Sequence, residues 1–121
     1  VTGNKMPIIN YRKSFKEAVK VMSQKKLGII VITKNKFIKG LMTDGDIRRA
    51  IDDRSNEKNI NKFTKNFPLF INENMPASKA LAIMNDKKIT SLLVVSDKDY
   101  KKEKKLLKGI IHIHFILKNG I

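Results

Sequence analysis

The chain has 121 residues, no cysteine, and a formal charge of +15 from 26 Lys and Arg against 11 Asp and Glu. Without cysteine there is no disulfide framework, no thiolate nucleophile and no Cys-ligated zinc, which fits a reducing compartment. No run nears the ~20 consecutive apolar residues of a membrane span, and a chain of this length buries roughly two thirds of its unfolded surface, enough for a core without metal support.

Ser14, followed three residues later by Glu17, reads as a capping box ahead of an apolar stripe at Phe15, Ala18, Val19 and Met22. That stripe predicts a helix whose last turn carries Lys25 and Lys26, favourable at the negative end of the dipole. The β-branched run Leu27–Thr33 predicts a strand. The short turn Lys34-Asn35-Lys36 then pairs it antiparallel with Phe37–Met42. A short helix is expected over Ile47–Ile51 and a polar linker over Asp52–Lys62.

A shift of 62 residues returns the helix stripe as Ala77, Ala80, Leu81 and Met84, with Pro76 suited to its start and Lys87-Lys88 at its end. The strand Ile89–Val95 follows, then a Lys-rich loop Asp97–Lys105 and a return strand Leu106–Ile113. The loop's extra length moves the shift to 69, so Lys39-Gly40-Leu41-Met42 matches Lys108-Gly109-Ile110-Ile111. A last short helix is expected over Phe115–Lys118. Even the lead-ins agree: Val1-Thr2 runs to Pro7 and Phe63-Thr64 to Pro68. The chain thus reads as a duplicated α/β (α+β) unit, one copy in 1–55 and one in 56–121, each with a small sheet flanked by helices.

The positive charge invites nucleic acid or an anionic membrane as partner. Its distribution argues against both: +8 lies in 1–55 and +7 in 56–121, whereas a phosphate-tracking surface concentrates its cations. No secretory signal pattern is present, and a chain opening at Val1 reads as part of a longer protein.

Two tandem units of this order resemble a CBS-domain pair, a Bateman module. Four stretches resemble more narrowly the C-terminal half of the KpsF/GutQ arabinose-5-phosphate isomerases of Kdo and lipopolysaccharide synthesis. They are residues 2–7, 40–49 (Gly-Leu-Met-Thr-Asp-Gly-Asp-Ile-Arg-Arg), 88–95 and 109–114. The resemblance implies two CBS repeats related by a pseudo-twofold axis. It also implies a cytoplasmic, regulatory and non-catalytic role, a homodimer, and an N-terminal sugar-isomerase (SIS) domain outside this chain.

Thr43-x-x-Asp46 is the most informative constellation. Where a strand hands over to a helix, amide N–H groups, a hydroxyl and a carboxylate converge, which suits a phosphate and a ribose. The same pair also suits a plain helix cap. By the resemblance, Thr43 and Asp46 would share a cleft with Thr64, Leu69, Ile89, Thr90 and Ser91, and hold an adenine nucleotide or nucleotide-sugar. A second cleft would join Thr2, Ile8, Gly28 and Ile29 to His112 and Phe115. There a ring replaces the carboxylate, so that cleft reads as degenerate. No cofactor is required. Arg48 and Arg49 read as solvated helix surface, and His112-x-His114 lacks a third ligand for a metal.

Overall fold

The computed structural model describes residues 6–25, 27–52 and 70–113. They divide into two compact units, one within residues 7–67 and the other within 68–121 together with 1–6. The linker beyond Asp52, the expected helix at 115–118, and Thr2, Lys26, Thr64, Leu69, His114 and Phe115 lie outside the described residues.

The first unit runs β1 (Ile8–Asn10), α1 (Phe15–Lys25), β2 (Ile29–Lys34), β3 (Phe37–Thr43) and α2 (Asp44–Asp52). Its sheet has the order β1-β2-β3, parallel between β1 and β2 and antiparallel between β2 and β3. Ser14 caps α1 as expected: the Glu17 amide donates to Ser14 Oγ at 3.1 Å, and Ser14 Oγ donates to Glu17 Oε1 at 3.3 Å. The hairpin turns on Asn35 (φ 51°) and Lys36 (φ 74°), the two positive angles of a type I′ turn, whose twist matches that of the strands. One register irregularity follows, at Ile32/Thr33, which leaves Lys39 as the extra residue of a bulge in β3. The central strand β2 is buried on both faces from Ile29 to Ile32, and Ile30 and Ile32 pack with Ile9, Ala18, Met42 and Ile47 into one core.

The second unit repeats this plan with β4 (Phe70–Asn72), α3 (Ala77–Lys87), β5 (Ser91–Val95) and β6 (Gly109–His112), in the sheet order β4-β5-β6. Its core is Ile71, Ala80, Met84 and Leu92, the 62-shifted counterparts of Ile9, Ala18, Met22 and Ile30. Two small mixed sheets with helices against them are therefore present, as the periodicity predicts.

Several boundaries differ from the sequence expectation. Helix α2 begins at Asp44, three residues before the predicted Ile47, because a cap at Thr43 captures the Asp-Gly-Asp stretch into its first turn. Strand β5 begins at Ser91 instead of Ile89. Lys88 adopts a left-handed conformation (φ 57°) past the end of α3, and the Ile89 amide closes back on the Met84 carbonyl at 3.0 Å. This is a Schellman closure with lysine where glycine is usual. The return strand starts at Gly109, since Leu106 is drawn into the preceding loop by its amide's bond to Asp99 Oδ2. Ala77, placed on the apolar stripe, is exposed. On α2, Ile47 and Ala50 are buried and Ile51 is 61% exposed.

Candidate functional site at the β3–α2 junction

Thr43 closes β3 opposite Ile29, and the Asp44 amide donates to the Gly28 carbonyl at 3.0 Å, carrying the ladder into the first residue of α2. Gly28 holds φ +72°, and a Cβ built there would sit 3.7 Å from Asp44 Oδ2. The left-handed angle, more than the space, restricts this position to glycine.

Across the junction Thr43 and Asp46 form a reciprocal capping box. The Asp46 amide donates to Thr43 Oγ1 at 3.2 Å, while the Thr43 amide donates to Asp46 Oδ2 at 2.8 Å. The Thr43 hydroxyl donates to the same oxygen at 3.0 Å. The Arg49 guanidinium pairs with the other oxygen, Oδ1. A carboxylate that is only 4% exposed is thereby satisfied on both oxygens by an amide, a hydroxyl and a cation. The sequence reading placed Arg49 on solvated helix surface and missed its pairing with Asp46, for which an Asp–Arg pair spaced i, i+3 on a helix was the available signal. At Gly45 a Cβ would lie 3.6 Å from Thr43 Oγ1, 3.7 Å from Arg49 Nη1 and 3.9 Å from Arg48 Nη2. Both guanidinium groups lie over the first turn of α2 while the two side chains remain exposed, as expected of solvated helix surface.

In the second unit, Ile89 packs on the core and Thr90 is exposed, its carbonyl accepting the Ile113 amide at 2.8 Å. Ser91 opens β5 opposite half-buried His112. Its Oγ is buried and finds no hydrogen-bond partner among the described residues. Residues expected in different clefts are thus register neighbours within each unit: Ile29 beside Thr43, and Ser91 beside His112. Ile8, expected in the second cleft, is 36% exposed on β1. Among the described residues no group of three or more His, Cys, Asp or Glu is placed to hold a metal, and no helix is long and apolar enough to cross a membrane.

Two units, each a three-stranded mixed sheet with a helix packed on it, define a duplicated α/β module, and in the first unit the strand-to-helix junction is capped. The chain belongs to the CBS domain family, whose model matches residues 4–53 and 60–118. It is 34% identical over 124 residues to the arabinose 5-phosphate isomerase KdsD of Yersinia pestis, covering 99% of this chain and 35% of that protein. It is 30% identical over 123 residues to KdsD of Escherichia coli K12, again covering 99% of this chain and 35% of the relative. The chain spans about a third of the length of the curated relatives it matches. Among solved structures, the CBS domain pair of protein MJ0100, in complex with 5′-methylthioadenosine and S-adenosyl-L-methionine, superposes with a TM-score of 0.80 at 19% identity, covering 98% of this chain and 90% of that one. CBSX2 in complex with AMP gives a TM-score of 0.82 at 14% identity, with the same coverage of 98% and 90%.

Proposed function

We propose that this CBS pair is the ligand-sensing regulatory part of a KpsF/GutQ-type arabinose-5-phosphate isomerase serving Kdo and lipopolysaccharide biosynthesis in the cytoplasm. It acts on an N-terminal SIS domain and carries no isomerase chemistry itself. The observation that carries this reading is the β3–α2 junction, where a helix start, a hydroxyl and a buried carboxylate meet at one point. Amides at a helix start attract phosphate, and a carboxylate takes ribose hydroxyls. The ligand is an adenine nucleotide or nucleotide-sugar, held by Thr43 and Asp46 with Thr64, Leu69, Ile89, Thr90 and Ser91. The Ser91 hydroxyl, buried and without a partner among the described residues, supports this, because a buried donor left unmade is costly unless something completes it. The set of Thr2, Ile8, Gly28, Ile29, His112 and Phe115 is a degenerate counterpart. The module needs no metal or resident cofactor, binds neither nucleic acid nor membrane, and pairs as a homodimer.

One observation favours a second reading, a ligand-free oligomerisation module: both oxygens of Asp46 are already engaged within the chain. A thermal-shift series with AMP, ATP and pyrimidine nucleotide-sugars separates the two. A ligand at a hundred times its dissociation constant adds about 2.7 kcal/mol. Under the sensing reading, Asp46→Asn weakens that ligand roughly tenfold or more, the effect of a lost charge-assisted bond. Ser91→Ala weakens it too, with unchanged stability of the free chain. No shift with any of these ligands, together with a stable dimer by light scattering, supports the oligomerisation reading instead.

A further inference from the structure

The two oxygens of the Asp46 carboxylate are held in different ways. Oδ2 accepts the amide and the hydroxyl of Thr43, at 2.8 and 3.0 Å, and so belongs to the capping box that starts α2. Oδ1 accepts the Arg49 guanidinium, a side-chain donor three residues along the same helix. The Asp46 side chain is 6% exposed and that of Arg49 65%, so the anion is covered and the cation reaches it from the solvent side. A long exposed arginine changes rotamer readily, whereas a buried carboxylate left without a partner is strongly unfavourable. Oδ1 is therefore matched either by Arg49 or by a group that takes its place.

The guanidinium is also placed to stay close to whatever displaces it. A Cβ built on Gly45 would lie 3.7 Å from Arg49 Nη1 and 3.9 Å from Arg48 Nη2, so both groups rest against the first turn of α2. Cations are unfavourable at this positive end of a helix, and an anion beside them offsets that.

From this arrangement, and resting on the proposed ribose role of Asp46, we infer that Arg49 is a latch on Asp46 that makes the site selective for phosphorylated ligands. A neutral nucleoside that takes Oδ1 breaks the Arg49 pair and returns nothing to the guanidinium. A nucleotide breaks the same pair but brings a phosphate to the start of α2, where the released guanidinium binds it through a planar fork of donors. The engagement of both Asp46 oxygens within the chain is then the resting state of a sensor.

Calorimetric titration of the chain with two matched pairs, adenosine with AMP and uridine with UMP, tests this. Arg49→Met keeps the aliphatic stem and removes every donor. In the pair that binds, this variant should take the nucleoside about fivefold tighter, because a partly exposed ion pair no longer has to break. It should take the nucleotide about twofold weaker, so that the preference for phosphate falls about tenfold, the effect of one charge-assisted hydrogen bond. Arg48→Gln removes equal charge from the same turn but no bond to Asp46, and should leave nucleoside affinity unchanged. Circular dichroism checks that Arg49→Met folds, and Arg49→Gln takes its place if it does not. Nucleoside binding seen only in the Arg49 variant also supports the latch. An unchanged preference for phosphate in that variant, or an equal gain in nucleoside affinity from Arg48→Gln, overturns the latch. The ribose reading still stands in that case if Asp46→Asn weakens the nucleotide. No binding of either pair by wild type or variant overturns both.

Discussion

The corner after β1 and the corner after β4 share every backbone bond, yet one encloses an ion pair and the other a ring ringed by cations. Backbone geometry here is set by Asn10 and Asn72, whose side chains mimic a turn, so the side chain of the next residue is not needed to make that turn. That residue is then open to diverge: Glu73 pairs with Lys108, while Tyr11 offers its ring to Arg12, Lys34 and Lys39. Duplication supplies the frame, and single side chains decide which copy looks inward.

The strongest challenge to this equivalence lies in the cores. Ile30 and Leu92 occupy matching places on β2 and β5 and are 0% and 1% exposed. Ile30→Ala and Leu92→Ala should each cost about 2–5 kcal/mol, from lost transfer energy and a residual cavity. Urea unfolding followed by circular dichroism reads this, and a cost confined to one of the two breaks the parallel.

The junctions, where the copies diverge, should respond less. Gly28→Ala should cost about 1–2 kcal/mol, since a side chain is strained at its left-handed angle. Thr90, the counterpart of Gly28 by the 62-residue shift, should accept alanine with little change. Thr43→Ala should cost about 1 kcal/mol by removing the cap of α2, and Thr43→Ser should restore it. Thermal melts of the four variants settle both points, and an inert Thr43→Ala removes the capping box from the explanation.

The smallest expected effect belongs to Glu73→Gln. Lys108 first, and then the Asp97 amide, hold the Glu73 carboxyl below its ordinary value of 4.5. A carboxyl lowered in the folded state stabilises above its unfolded value and loses that contribution as pH falls through the folded one. Wild type should therefore melt slightly higher than Glu73→Gln near neutral pH, and the gap should close as the solution is acidified through the lowered folded-state value. A gap that persists in acid assigns the effect to packing.

Local signals made much of this legible. The Phe15, Ala18 and Met22 stripe and the short Lys34–Lys36 turn lie within one period or one hairpin, where sequence spacing is spatial spacing. The start of α2 was hidden because Asp44-Gly45-Asp46 has turn composition, and only the Thr43–Asp46 reciprocity makes it helical. The start of β5 was hidden by Lys88, a left-handed position without the glycine that would announce it. Thr43 and Asp46 were readable as a pair, but their alternative roles were not separable by spacing. The Tyr11 cluster was not readable at all, since its cations arrive from three segments and meet only through a parallel pairing and a bulge.

Tyr11 has one more consequence, an optical one. The chain has no tryptophan and two tyrosines, and these fall one in each unit: Tyr11 beside β1, and Tyr100 in the loop between β5 and β6, 37% exposed. All tyrosine emission therefore comes from two chromophores that label the two copies separately. Tyr100→Phe leaves a chain whose fluorescence reports on the first copy alone, and the reciprocal Tyr11→Phe reports on the second. The order in which the two halves of this duplicated molecule melt can thus be watched without attaching a dye.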